Sequence, residues 1–247
     1  RAIETIKKGN ASTAEWIPEI PSTGQYAVYV SYQTLPNSAD DVLYTVYHKG
    51  GTTQFKVNQQ MGGGTWIYLG TFGFNAGRNN ECKVVLSNLS SKVGRIITAD
   101  AVKIGGGMGN IERGGYTSGL PRCLEGARYY AQWAGAPYKV YGGRKGENDY
   151  ADDINTRSLM TNWLGGGSVY MPARKGKHVP IELSLALHSD AGYNKDGKTT
   201  FGALAICTTD YNDGILNSGI SRFTSKDFAR ALRDNLVTDL TAQFGEF

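Results

Sequence analysis

Between Arg1 and Gly105, turn residues recur about every ten positions, a spacing that leaves little room for helices of ordinary length. The runs between them alternate. After Pro21-Ser-Thr-Gly24, the residues Tyr26, Val28, Val30 and Tyr32 share one face while Ala27, Tyr29 and Ser31 share the other. Residues 42–47 lead through Gly50-Gly51 into residues 53–57, the pattern of a hairpin. Residues 66–72, 83–86 and 99–104 supply three more runs. Short strands at this spacing, with no helical period, predict an antiparallel β-sandwich, jelly-roll-like in its layering. His48, Trp66 and Tyr68 fall among these strands. Aromatic faces stack well on sugar rings, so the three suit a sugar platform; they equally suit packing at the hairpin corner, the commoner role.

Gly105-Gly-Gly-Met-Gly109 ends this pattern, and helical spacing begins after it. The chain therefore reads as two domains, 1–106 and 107–247. A helix is expected over 121–134, with Pro121 near its first turn, Gly135 beyond its end, and Leu124, Ala127, Ala131 and Ala134 as its buried stripe. A second is expected over 151–164, opened by Asp152 and Asp153 and stopped by Gly165-Gly-Gly167. Thr224-Ser-Lys-Asp227 has the form of a capping box before a long helix carrying Phe228, Leu232, Leu236 and Leu240.

Two apolar runs lie between those helices. Ile181, Leu183, Leu185 and Leu187 alternate with Glu182, Ser184, Ala186 and His188, the period of a strand. The second set is small and mostly uncharged, which suits a strand covered on both faces in a parallel sheet. Residues 201–207 form the next such run. Together these elements predict an α/β layered domain, with His188 at the C-terminal sheet edge, where ligands bind in such folds. A histidine in that position is more often a hydrogen-bonded structural residue than a metal ligand. Arg157, late on the second helix, suits either an anionic substrate group or a neighbouring carboxylate, the latter being commoner. The acidic-aromatic loop 145–153 suits helix capping better than substrate contact.

Composition narrows the function classes. In 247 residues, 40% apolar and 11% aromatic content allow a real core and argue against disorder. A net charge of +4 with no long basic run gives little support to nucleic-acid binding, while leaving room for attraction to an anionic polymer. No apolar segment approaches the roughly 20 residues that span a bilayer. Cys82, Cys123 and Cys207 are widely spaced and odd in number, so three free thiols are expected rather than a metal site or disulfide framework. Arg1 is not a natural start, which suggests a piece of a longer protein.

The first hundred residues resemble the golvesin C-terminal-like domain, a β-sandwich module of bacterial envelope and secreted enzymes. The resemblance rests on Gly24-Gln-Tyr-Ala-Val-Tyr-Val30, Tyr44-Thr-Val-Tyr-His48 with Gly50-Gly51, Val57-Asn-Gln-Gln60, Gly64-Thr-Trp-Ile-Tyr-Leu-Gly-Thr71 and Ala99-Asp-Ala-Val102. It implies an accessory role and a periplasmic, secreted or envelope location. The later order of Arg157-Ser-Leu-Met-Thr-Asn162, Glu182-Leu-Ser-Leu-Ala-Leu-His188-Ser-Asp-Ala191, Phe201-Gly-Ala-Leu-Ala-Ile206 and Ser225-Lys-Asp-Phe-Ala-Arg-Ala-Leu232 resembles the middle of zinc-dependent N-acetylmuramoyl-L-alanine amidases. That resemblance implies zinc held by His188, with Asp190 and Arg157 in supporting or substrate-facing roles, and cleavage of the muramoyl–L-alanine amide in peptidoglycan.

The departures count against activity in this chain alone. Ala186 stands where that family has Ser, Asp190 where it has Asn, and Thr161 where it has Ala. The family's other zinc ligands and its catalytic Glu have no counterpart here, and a catalytic zinc needs about three protein ligands plus a water. Glu182 lies six residues before His188, about 20 Å along a strand, too far to share an ion. Two alternatives therefore stand beside the hydrolase: a non-catalytic module binding cell-wall or other envelope glycan, and a polysaccharide-processing enzyme of the xanthan lyase kind. A lyase needs a Tyr or His base beside an Arg or Asn, a cluster not visible in the linear sequence.

Overall fold

The computed structural model describes residues 1–105, 109–187 and 202–245. In the first hundred, the alternating runs form two antiparallel sheets. One has the order β2-β7-β4-β5, from Thr13–Trp16 (β2), Lys83–Ser87 (β7), Val42–His48 (β4) and Gly51–Val57 (β5). The other is β6-β3-β9, from Ile67–Phe74 (β6), Gly24–Ser31 (β3) and Ala101–Ile104 (β9). A short pair, Ala2–Glu4 (β1) with Ile96–Thr98 (β8), closes one end. The expected sandwich is present. The strand pieces β1, β2 and β8, of three or four residues each, escaped the sequence reading.

Alternation decides what each strand buries. Val28, Val30 and Tyr32 on one face of β3 and beyond meet Tyr44, Val46, Phe74 and Val84 in the core. Gln59 is wholly buried among them, and its amide is fully used. Its Nε2 donates to the Thr98 carbonyl (2.9 Å), while its Oε1 accepts from the Thr98 N–H (2.8 Å). A buried amide is tolerable only with such partners, so Gln59 ties the loop after β5 to β8. Burial pushes the Tyr32 hydroxyl up to about 12.

After Gly109 comes a small hairpin, Glu112–Arg113 (β10) with Tyr116–Thr117 (β11). Helices occupy Ala127–Trp133 (α1), Tyr138–Tyr141 (α2), Asp149–Gly165 (α3) and Phe223–Phe244 (α4). The helix expected over 121–134 divides into a 3-10 turn, Arg122–Leu124, and α1. Glu125 breaks it: the residue is extended, and its carboxylate accepts from the Gly109 N–H (2.7 Å) and from Ser118 Oγ. Leu124 consequently turns outward, whereas Ala131 is buried as expected. The start of α3 is capped by Asn148, whose side chain accepts from the Ala151 N–H (2.9 Å).

Asp152 does more than favour a helix start. It is wholly buried, accepting from Arg113 Nη2 (2.9 Å) and from the Arg144 N–H (2.6 Å). Arg113 also reaches Asp149 (2.9 Å), and Arg128 bridges Asp149 (2.8 Å) and Asp153 (3.1 Å). This network joins the β10–β11 hairpin and α1 to α3, over a small core of Ala131, Ala136, Val140, Leu159 and Trp163.

The α/β layering expected for the second domain does not form among the described residues. Residues 181–187 and 202–207 make no ladder with any strand, and Leu183, Leu185, Leu187, Leu204 and Ile206 are exposed. A strand exists only through a neighbour's hydrogen bonds, and none of the described strands lies beside these runs. Nor does Thr224 open α4. That helix starts at Phe223 after Arg222, without a side-chain cap, and no residue of it is buried.

Candidate functional site

The outer face of the three-stranded sheet is where the two parts of the chain meet. Because even-numbered residues of β3 face the core, the odd ones point outward, and pairing sets Tyr29 between Tyr68 on β6 and Lys103 on β9. The register shift between Val28 and Tyr29 leaves one extra residue on β6 and turns Tyr68 toward Tyr29, with ring centroids 5.4 Å apart. The segment 119–134 lies over this row. Trp133 of α1 packs edge-on against Tyr29 (5.7 Å). Lys103 Nζ sits 3.3 Å from the Trp133 ring centre and 4.1 Å from that of Trp66. Burial between the rings pushes its pKa down to about 8.

Arg122 completes the row. Its guanidinium stacks 3.9 Å above the Tyr68 ring, and its Nε donates to Tyr29 Oη (3.0 Å). Tyr130 Oη donates to the Arg122 carbonyl (2.5 Å), holding the 3-10 turn in place. No protein acceptor lies against Nη1 or Nη2 among the described residues. Beside Arg122 is an open cavity of about 310 Å³, with Ala27 and Thr71 on its sheet side and Gln25, Tyr26 and Asn110 around it. Gly105 lines it too, at φ +63°, and a Cβ there would come within 2.5 Å of the Tyr26 ring. Only glycine fits that corner.

The junction is fastened elsewhere by main-chain and lysine contacts. The Trp66 N–H donates to the Ala134 carbonyl (3.1 Å), the Gly62 N–H to the Lys177 carbonyl (2.9 Å), and Lys177 Nζ to the Gly63 carbonyl (2.7 Å).

Of the residues singled out in the sequence, Trp66 and Tyr68 come to this face, while His48 does not. His48 stacks on Phe72 (4.9 Å) and pairs with Thr53 Oγ1 (2.9 Å), the hairpin-corner role. Arg157 lies 3.9 Å from Asp153, as a carboxylate-tied residue would, and also borders a wider open cavity of about 670 Å³ between α1, α3 and residues 184–187. His188 and Asp190 lie outside the described residues. Among the described residues, no three histidine, cysteine or acidic side chains come together as a metal site, so the zinc donor set is not found there. Cys82 is buried, Cys123 and Cys207 are exposed, and all three are free thiols.

The sequence reading missed the Tyr29–Tyr68–Arg122 cluster. Its members are 93 residues apart at the extremes, and only the β3–β6 register and the placement of the 3-10 turn unite them. It holds a tyrosine, an arginine and an asparagine in one place, but Tyr29 is 4% exposed and its hydroxyl is engaged by Arg122. That arrangement suits binding through rings and donors rather than proton removal by Tyr29.

Comparison with known proteins places the sandwich. Residues 2–106 match the golvesin C-terminal domain family, so the expected golvesin-like domain is present. A protein named xanthan lyase from Bacillus sp. (strain GL1) is 38% identical over 96 residues, covering 39% of this chain and 10% of that relative. A Paenibacillus xanthan lyase, solved at 2.6 Å, is similar at 36% identity over 37% of this chain and 8% of its own, with a TM-score of 0.34. The chain thus spans about a tenth of the length of the curated relative it matches.

Proposed function

We propose that this chain is an accessory part of a larger, secreted or envelope-located polysaccharide-processing protein, and that its role is to hold glycan. The single observation carrying this reading is Arg122, stacked on the part-exposed Tyr68 and braced by the buried Tyr29, beside an open cavity on a golvesin-like sandwich. The exposed part of the Tyr68 ring suits the apolar face of a sugar, and side-chain amides and guanidinium take its hydroxyls. The relative named xanthan lyase supports the polysaccharide context. Affinity electrophoresis tests it: xanthan and neutral glucans are cast in native gels, and wild type is run beside Tyr68→Ala. Retardation of wild type by at least one polymer, weakened severalfold in Tyr68→Ala, is expected; unretarded migration in all of them contradicts the reading.

A second reading keeps one observation in its favour. Helices α3 and α4 cover the two helical segments on which the amidase resemblance rests, with Arg157 at the middle of α3. In that reading the complete protein is a zinc amidase acting on peptidoglycan, with His188 as a zinc ligand and Asp190 beside it. The described residues supply no donor set for zinc, so no catalytic step is assigned to them. Metal analysis of a form extended at both ends, wild type against His188→Ala, decides it; equal zinc content in the two removes His188 as a ligand.

No helix among the described residues is long and apolar enough to cross a membrane.

A further inference from the structure

The cavity beside Arg122 is chemically selective, and this deepens the glycan-holding reading on which it rests. We propose that it is a subsite for an acidic sugar, one whose ring carries a carboxylate, and that Arg122 reads that carboxylate. Three observations converge. Arg122 is fixed from three sides: its guanidinium lies on Tyr68 (3.9 Å), its Nε is spent on Tyr29 (3.0 Å), and its main chain is held by Tyr130 (2.5 Å). A guanidinium so held has lost its rotamer freedom before the ligand arrives, which removes much of the ordering cost of binding.

The donors that remain are the two terminal nitrogens, which have no acceptor among the described residues. They form the flat edge that takes a carboxylate through two parallel hydrogen bonds. Among the described residues, no acidic side chain lines the cavity to compete for that edge. A neutral sugar hydroxyl uses one such donor and leaves the other dry, whereas a carboxylate uses both.

The rest of the lining fits a pyranose ring. Ala27 keeps the sheet side shallow, and Gln25 and Asn110 line the cavity with amides suited to ring hydroxyls. The volume of about 310 Å³ takes one monosaccharide, and the cavity is open, so a polymer can pass with one residue seated. The chain's net charge of +4 adds a mild general attraction for an anionic polymer.

The test uses the whole chain, isotopically labelled, with two probes that differ only at one group: methyl β-D-glucuronide and methyl β-D-glucoside. Binding is followed by NMR at the amides of Ala27, Thr71, Gly105 and Asn110 and at Arg122 Nε. The expected result is a Kd on the order of millimolar for the glucuronide, with the glucoside at least about tenfold weaker. Arg122→Gln should erase that preference, and Arg122→Lys, which keeps the charge but not the fork, should lose most of it. Unchanged amide positions in the sandwich core verify that each variant is folded. Should Arg122→Gln not fold, the two glycosides against wild type and Arg122→Lys still decide.

Equal affinity for the two glycosides at these amides overturns the acidic-sugar inference while leaving glycan binding standing. A glucuronide preference that survives in Arg122→Gln overturns the role of Arg122. No shift at this face from either sugar overturns the subsite, and, joined with unretarded migration in every polysaccharide gel, the glycan reading as well.

Discussion

Lys103 shows how one residue joins the two parts of the chain. Its ammonium lies between Trp66 of the sandwich and Trp133 of α1, with no carboxylate partner among the described residues. Burial holds its pKa at about 8 in the folded chain, against 10.5 ordinarily. Between these values the unfolded chain holds more protons than the folded one, so this group makes stability rise with pH from about 8 to 10.5. Tyr32 acts oppositely. Its hydroxyl, raised to about 12 from 10.0, keeps its proton when the unfolded chain has lost it, so that contribution is lost between 10 and 12. Denaturant midpoints measured from pH 7 to 11 should therefore rise from about pH 8 and pass through a maximum near pH 10. In Lys103→Met the rise should be absent, and its persistence there would assign it to another group. Asp41 governs the acid side: partial burial opposes its ionisation, but bonds from Ser90 Oγ, Ser91 Oγ and the Ser91 N–H hold its carboxyl at about 2. That support is present above 3.8 and lost as pH falls toward 2, so Asp41→Asn should flatten acid unfolding in that window.

Elements in the second part of the chain are held by charge more than by apolar burial. Among the described residues, the core cluster beneath α1–α3 buries only Ala131, Ala136 and Val140, whereas the Arg113–Asp152 pair has side chains 5% and 0% exposed. Removing Arg113 leaves Asp152 charged and buried, a loss of about 3–5 kcal/mol and a fall in Tm on the order of 10 °C. Arg113→Met followed by thermal unfolding checks this; a shift under about 2 °C would show that Asp152 is adequately held by the Arg144 and Gly146 N–H groups. The sequence offered Asp152 as a helix-start residue, and its burial was not legible because Arg113 lies 39 residues earlier on a two-residue strand. The five strands of five to eight residues, and the four-residue β9, were legible. Their alternation, as in Tyr26–Val28–Val30, survives into the core because each had a pairing neighbour. Leu183, Leu185 and Leu187 alternate just as well and are exposed, because periodicity records a strand's faces but not whether its edges find partners.

At the scale of the whole molecule, the sandwich is anchored to α1 and the 3-10 turn before it through one face of one sheet. Tyr29, Tyr68 and Lys103 were each visible as strand residues, and none as a site, since the site exists only where Arg122 and Trp133 arrive over them. We propose residues 105–115 as the junction between domains 1–106 and 107–247, and limited proteolysis should cut there early, releasing a sandwich-sized fragment. A segment left whole while other loops are cut would contradict that boundary. The central claim concerns the outer sheet face, and hydrogen exchange of the intact chain, with and without a saturating acidic polysaccharide such as xanthan, tests it most directly. The account predicts added protection in peptides covering 66–74 and 119–126. Protection confined to the opposite sheet, over 42–57, or absent everywhere despite saturation, would contradict it.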